Sequence, residues 1–206
     1  MSITLIIIVI TCAVSIAAFS NVSLVKRTIF NPYLTYHHRE YQRLLSSGFI
    51  HKDWGHLLFN MFTLYFLGSG VEIYFEAIYG GIGNVVYVVL YLTAIIVSSI
   101  PSLIKHHNHE YYNSLGASGG VSALVFCFIL MDPVTKLCLF GLLCLPGFIL
   151  GGLYLIYSIQ MGRRQMDNVN HDAHLWGAVY GIVFLVATRP GIVPHFIEQL
   201  KGFSLF

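Results

Sequence analysis

Long apolar runs alternate with short polar segments along the chain, and this pattern predicts its helices. The runs lie at about residues 2–19, 55–75, 81–104, 117–131, 137–157 and 173–188. A helix that crosses a bilayer needs about 20 mostly apolar residues. The pattern therefore predicts an all-α membrane protein in which six transmembrane helices form one domain over residues 1–206.

Composition agrees with this class of protein. Hydrophobic residues make up 56% of the 206-residue chain and charged residues only 10%, which is outside the range of soluble domains. The net charge of +2 is too small to predict a nucleic-acid partner, so the expected surrounding is a lipid bilayer. The first run is too long and too poor in flanking charge for a cleavable signal peptide. The oligomeric state is not predicted.

The sequence predicts no metal, no cofactor and no disulfide framework. The cysteines lie in apolar runs without CxxC spacing and are interpreted as packing residues: Cys12, Cys127, Cys138 and Cys144. No HExxH motif is present. Histidines of the polar segments could bind a metal or sense pH, although such runs are usually solvated loop; they are His37, His38, His106, His107 and His109.

The fourth run opens on an unfavourable sequence for a helix, Gly116-Ala-Ser118-Gly119-Gly. At about 1.5 Å per residue, the run that ends at Met131 is about 21 Å long, against about 30 Å of hydrocarbon. Ser118 is therefore expected about 10 Å below one membrane face, where the backbone must be buried in protein or line a watery cavity. First-turn N–H groups there would favour an anion. The alternative is a surface of small residues for helix packing.

Two other apolar runs carry polar side chains that could act together with Ser118. His174 begins the sixth run, and Gly177 and Gly181 follow on the same helix face. His56 and Asn60 lie one turn apart in the second run. Close helix approach would bring His174 to Ser118 as a base, with His56 and Asn60 as oxyanion donors. The alternatives are an interfacial histidine and polar residues that join helices.

These motifs together resemble the signature of rhomboid intramembrane serine proteases. The resemblance covers about residues 40 to 185 and rests on His56-x-x-x-Asn60, Gly116-x-Ser118-Gly119, and His174 followed by Gly177-x-x-x-Gly181. It implies Ser118 as nucleophile, His174 as general base, and an oxyanion site of His56, Asn60 and the Ser118 backbone N–H. The four glycines would shape the site. The family uses a dyad, so Asp167 and Asp172 are interpreted as loop residues.

Other positions fit the family or depart from it. Arg43 and Glu72 align with family residues that are interpreted as structural. Gln42 stands where the family's Trp-Arg motif has tryptophan. Ser122 stands where some members have a tyrosine whose ring packs against the catalytic histidine, which leaves open how His174 is held.

The resemblance implies an intramembrane serine endopeptidase that cleaves transmembrane segments of other membrane proteins. The alternative is a catalytically inactive rhomboid-like protein that binds and escorts membrane proteins. A more distant alternative, a small transporter, lacks an evident inverted repeat.

Orientation is predicted in two opposite ways. The resemblance implies a multi-pass protein of a bacterial cytoplasmic membrane, with the active site towards the outer side and a partly embedded first loop, Ser20 to Trp54. The positive-inside rule favours the opposite orientation, because most basic residues lie on the Ser118 side: Lys26, Arg27, Arg39, Arg43, Lys52, Lys105, Arg163 and Arg164.

Overall fold

The chain is mostly helical. A computed structural model describes residues 2–139, 143–164 and 169–203. The α-helices are α1 Ile3–Phe19, α2 Val22–Thr28, α3 Pro32–His37, α4 Arg43–Ser46, α5 Trp54–Thr63, α6 Ser69–Tyr79, α7 Gly83–His106, α8 Ser118–Met131, α9 Gly147–Arg164, α10 His171–Thr188 and α11 Ile192–Lys201. Two strands, β1 Lys136–Leu139 and β2 Leu143–Pro146, form an antiparallel pair.

Most of the predicted apolar helices are present within a few residues of their expected bounds. The second is continuous from α5 through a π-helical segment, Leu64–Gly68, into α6, and it extends past Glu72 to Tyr79. Gly80, at φ 59°, then turns the chain, so that α6 packs against α7. Only glycine adopts such an angle without strain, which explains why the turn falls there.

The fifth helix begins later than predicted. Residues 137–146 were expected to be helical, but the apolar run first forms the β1–β2 pair, and α9 begins at Gly147. Pro146 explains the boundary, because proline in a helix interior lacks the N–H and clashes with the preceding turn. An apolar run alone does not distinguish a short strand from a helix.

Two of the cysteines are not free packing residues as predicted. Cys138 and Cys144 form a disulfide that joins β1 to β2. The strand register places these two residues directly opposite each other. Their sequence spacing alone does not indicate this, because the pairing depends on the strands that replaced the expected helix. Cys12 and Cys127 are free thiols.

Helix length and composition support fewer membrane spans than the sequence pattern predicted. Among the described residues, the helical stretch Trp54–His106, which contains the turn at Gly80, is the one long and apolar enough to cross a bilayer. The pair α10 and α11 would qualify only as one span, and it is bent by 110°. α1 and α8 are apolar but shorter. The six-span bundle therefore stays a prediction, and α11 is a helix that the sequence pattern missed.

The helices α7, α8 and α10 form the centre of the fold, and α8 and α10 share a seam of very small residues. A Cβ on Gly177 would collide with the carbonyl oxygen of Gly119, and one on Gly181 would collide with that of Ala123. Both contacts advance by four residues in the same direction, so the two helices run parallel. The Cys127 thiol donates to the Gly181 carbonyl 3.3 Å away. Glycine at these positions lets the two backbones touch.

A carboxylate anchors the start of α1. Glu72 of α6 is buried and accepts hydrogen bonds from the Ser2 hydroxyl and from the N–H groups of Ile3 and Thr4, at 2.6 to 3.0 Å. The first N–H groups of a helix have no partner within the helix, and the dipole favours a negative charge there. Glu72 is therefore a structural cap, in agreement with the role predicted for it.

The first loop is ordered and contains the short helices α2, α3 and α4. Buried Arg43 donates from Nη1 to the carbonyl oxygens of Lys26 and Ile29, each at 2.8 Å, and from Nε to Glu40. These bonds tie the end of α2 to the start of α4. The predicted partial embedding of this loop in the membrane stays a prediction.

Candidate active site

Ser118 occupies the first position of α8, where the backbone offers unpaired donors. Its side chain is half-buried. The residue before it, Ala117, has no side-chain acceptor that could cap the first-turn N–H groups. These groups and the positive end of the helix dipole are therefore directed at the space around Ser118.

Gly116 shapes the turn that enters α8. Its φ of 117° is one that residues with a side chain rarely adopt. The Gly116 N–H donates to the Ser47 carbonyl at 2.9 Å. A Cβ on Gly116 would also lie 2.8 Å from Nε2 of His56, so glycine allows the His56 ring to lie against the backbone two residues before Ser118.

A buried histidine, His51, holds the same turn from the other side. The Ala117 N–H donates to His51 Nε2 at 3.3 Å. This bond requires an unprotonated Nε2, so Nδ1 carries the proton and donates to the Ser15 hydroxyl at 2.9 Å. The Ser15 hydroxyl donates in turn to the Phe49 carbonyl at 2.9 Å. The chain of bonds connects α1, the first loop and Ala117, the residue before Ser118.

The environment of His51 keeps its imidazole neutral. Burial, together with a smaller effect of the neighbouring His56, lowers the pKa of His51 to about 3, while Asp53 opposes the shift. The rings of His51 and His56 lie 4.9 Å apart at 70°. A neutral ring is the form that can accept the bond from Ala117, so the electrostatics and the hydrogen bonds agree.

The seam between α8 and α10 has Ser118 and His174 near the same end. Ser118 directly precedes Gly119, and His174 lies one turn before Gly177 on the same face of α10. Gly177 touches Gly119, and the Ala173 carbonyl lies 3.6 Å from where a Cβ on Gly119 would be. Both side chains therefore stand at the same end of one parallel seam.

Asn170 fixes the start of α10 relative to the elements around Ser118. It caps the helix by accepting from the Ala173 N–H at 3.0 Å. Its amide donates to the hydroxyls of Ser102 on α7, at 3.1 Å, and Ser114 in the loop before α8, at 3.0 Å. Ser114 is itself paired through its backbone with Phe30 of the first loop.

The second pair of predicted site residues lies at the start of α5. His56 is in the first turn, where Asp53 caps its N–H at 2.8 Å. Asn60 is buried one turn later and donates from Nδ2 to the His56 carbonyl at 2.9 Å. His56 is therefore beside the Gly116 turn, whereas the Asn60 amide already uses one donor within its own helix.

Comparison with known proteins identifies the family. Residues 38–190 match the Rhomboid domain. The chain belongs to the rhomboid family. It is also 29% identical over 164 residues to RHOMBOID-like protein 12, mitochondrial, of Arabidopsis thaliana, an alignment that covers 72% of this chain. The chain spans 46% of the length of that curated relative.

Ser122, one of the two departures from the rhomboid pattern, contacts an aromatic residue on another helix. At the position where some rhomboids have tyrosine, the Ser122 hydroxyl lies 3.0 Å from the Tyr154 hydroxyl of α9. The Tyr154 ring lies nearly parallel to the His174 ring, at 21° and 6.2 Å between centroids. At the other departure, Gln42 is exposed and directly precedes α4.

The two aspartates that were predicted to be loop residues, Asp167 and Asp172, differ in what the structure says of them. Asp172 lies in the first turn of α10, not in a loop as predicted, and pairs with Lys105 at 3.5 Å. Its helical position follows from the Asn170 cap, which starts the helix before it. Asp167 lies outside the described residues.

Sequence reasoning missed His51, Asn170 and Tyr154. His51 precedes the cap of α5, so helical periodicity does not relate it to His56. Asn170 could have been found as a capping residue before an apolar run. Tyr154 stands on a helix without a motif, and only the packing of α9 against α8 and α10 shows its position.

Proposed function

We propose that this rhomboid-family chain is an intramembrane serine endopeptidase that uses a Ser118–His174 dyad. Its substrates would be transmembrane segments of other membrane proteins, cleaved without a cofactor. The main support is the parallel seam of α8 and α10, because the contact between Gly119 and Gly177 lies next to Ser118 and one turn from His174. A protein that only binds partners has no need for this arrangement.

The proposed reaction begins with proton transfer from the Ser118 hydroxyl to the His174 imidazole. The hydroxyl oxygen attacks the carbonyl carbon of the scissile bond, and the negative charge moves to the carbonyl oxygen. The Ser118 N–H and His56 stabilise that oxygen, and the dipole of α8 adds to their effect. The protonated His174 then gives its proton to the leaving nitrogen, and an ester on Ser118 remains.

Water completes the cycle by the reverse sequence. His174 removes a proton from water, the hydroxide attacks the ester, and the Ser118 oxygen recovers the proton as the new carboxyl end leaves. A substrate helix shields its peptide bonds with its own hydrogen bonds, so the segment must unwind locally before attack.

The proposed location is a bacterial cytoplasmic membrane, which the chain would cross several times, with Ser118 towards the outer side. The mitochondrial relative is named for a different compartment.

Proteolysis by purified protein in detergent or liposomes tests the proposal. We expect cleavage of a generic transmembrane substrate by the natural chain and none by Ser118→Ala or His174→Ala. The matched controls are Ser99→Ala, a buried serine bonded within α7, and His195→Ala on α11, which bonds the Met131 carbonyl. Both should retain activity.

A fluorophosphonate probe separates the enzyme from an inactive escort protein. It should label Ser118 in the natural chain and not in His174→Ala. Cleavage by Ser118→Ala would contradict the dyad. A folded natural chain that neither cleaves nor reacts would favour the escort function.

A further inference from the structure

The contact between Tyr154 and His174 suggests how this chain holds its base. A general base must present one nitrogen to the nucleophile, and a misplacement of about 1 Å can cost about 100-fold in rate. His174 is only half-buried, so packing by its own helix leaves part of the ring uncovered. The Tyr154 ring lies beside it, with the ring centroids 6.2 Å apart and the planes at 21°.

Tyr154 is itself confined from several directions. Its ring lies 6.0 Å from that of Phe126 on α8, at 42°, and it faces His174 on α10. Tyr154 therefore contacts both of the helices that carry the proposed dyad. Its nearly parallel orientation to the imidazole restricts rotation of that ring about its side-chain bonds.

Ser122 fixes the hydroxyl end of the same ring. It is buried one turn after Ser118 on α8, and its hydroxyl lies 3.0 Å from the Tyr154 hydroxyl. A small residue at position 122 also leaves space for the ring that α9 contributes. The same helix thus carries the nucleophile and the anchor for the residue that faces the base.

We propose that Tyr154 is a positioning residue for His174, and that the Ser122 hydroxyl holds its ring in the orientation that fixes the imidazole. The proposal rests on the proposed function, since it assigns His174 as the base. It explains why serine suffices at position 122 in this chain, because the aromatic ring comes from α9 instead of α8.

Turnover by a series of variants tests the ring and the hydroxyl separately. Tyr154→Leu removes the ring and should lower kcat by about 10- to 100-fold with little change in KM. Tyr154→Phe and Ser122→Ala keep the ring and lose one hydrogen bond, so each should lower kcat by about 2- to 10-fold. The double variant Tyr154→Phe, Ser122→Ala should be no worse than either single one, because both remove the same bond.

Tyr180 provides the matched control. It lies on α10 beyond His174, and its hydroxyl donates to the Thr93 hydroxyl on α7 at 2.7 Å. Tyr180→Leu removes an aromatic ring between helices, and Tyr180→Phe removes one hydrogen bond between helices. These losses match those made at Tyr154. They should retain kcat and change only the melting temperature. Equal losses of kcat at Tyr180 and Tyr154 would reduce Tyr154 to a packing residue and overturn the proposal.

NMR of the ring provides a test that does not require activity. In protein labelled with ¹⁵N-histidine, the His174 signals are identified by their loss in His174→Ala. They should be single and sharp in the natural chain and Tyr154→Phe, and broadened or split in folded Tyr154→Leu. Unchanged signals in Tyr154→Leu would overturn the proposal even in a chain that does not cleave. Absence of cleavage and of fluorophosphonate labelling in the natural chain would instead reject the proposed function.

If Tyr154→Leu does not fold, the conservative variants decide. Natural kcat in both Tyr154→Phe and Ser122→Ala would then overturn the proposal, because each of them should lose about 2- to 10-fold.

Discussion

At the residue scale, His56 and Asn60 differ in how directly they can act on an oxyanion. The His56 ring lies against Gly116, two residues before Ser118, whereas the Asn60 amide donates to the His56 carbonyl. Loss of one oxyanion donor typically costs about 10²- to 10³-fold in kcat. We therefore expect His56→Ala to lower kcat by about 10- to 1,000-fold and Asn60→Ala to lower it less.

Turnover, substrate affinity and melting temperature of both variants check this prediction. Affinity should change far less than kcat, because the donors act mainly in the transition state. If the two residues only join helices, activity will fall in proportion to the folded fraction. A well-folded double variant with near-natural turnover would refute the oxyanion role.

The lowered pKa of buried His51 predicts how the stability of the fold depends on pH. An unfolded histidine has a pKa of about 6.5, and burial lowers the pKa of folded His51 to about 3. Between these two pH values, His51 binds a proton in the unfolded chain but not in the folded chain. The contribution of His51 to stability is therefore complete above about pH 6.5 and is lost as the pH falls towards 3.

Melting temperatures from pH 7 to pH 4 check the sign. The decrease on acidification should be shallower in His51→Gln, which does not titrate, than in the natural chain. Ser15→Ala keeps the titrating ring but removes a hydrogen-bond partner, so it should melt lower and retain the pH dependence. Identical slopes in His51→Gln and the natural chain would contradict the assignment.

The residues that sequence reasoning found share one property: each belongs to a motif on one helix face. Ser118, His174, His56 and Asn60 were selected in this way, and the structure places Ser118 and His174 on one seam and His56 beside the turn before Ser118. Tyr154 and His51 act through neighbours distant in sequence. Their roles depend on packing between elements, which spacing along the chain does not encode.

At the scale of elements, the contact between α8 and α10 determines the geometry of the site. Gly177→Ala would place a methyl group against the Gly119 backbone, which cannot move away as a flexible side chain would. Overpacking of this kind typically costs about 1 to 3 kcal/mol. It should also push His174 away from Ser118, so kcat should fall by more than the loss of folded protein explains.

Gly152→Ala on α9 is the matched control. A Cβ at Gly152 would meet no atom within 4 Å, so the substitution should be neutral or slightly stabilising. Unfolding in detergent and turnover are measured for both variants. Natural activity in Gly177→Ala would show that the seam tolerates separation.

The elements themselves were only partly predictable. Apolar runs placed α1, α5 to α8 and α10 within a few residues, because each run ends at a polar or turn-forming segment. The run from Leu137 failed because its apolar residues suit a strand as well as a helix, and Pro146 marks the true start of α9. The amphipathic α11 was missed because only one of its faces is apolar.

At the scale of the whole molecule, cysteine labelling can measure which side of the membrane Ser118 faces. The proposed orientation places the loop before α8 outside. Tyr111 in that loop is 92% exposed, and Arg189, at the far end of α10, is also exposed. Tyr111→Cys should therefore react with a membrane-impermeant maleimide in spheroplasts of an expressing bacterium, and Arg189→Cys should react only after lysis.

The parent chain reports background labelling of its native thiols. The reverse pattern would place Ser118 on the cytoplasmic side, as the distribution of basic residues predicts.

The parallel seam of α8 and α10 also determines when in its lifetime the chain can become active. Ser118 leaves the ribosome well before His174, and on the proposed mechanism it has no base until α10 packs beside α8. A chain that has been synthesised only as far as α9 holds Ser118 without the base that the proposed mechanism requires. On that mechanism, proteolytic capacity appears only once α10 has packed against α8 through the contact of Gly177 with Gly119.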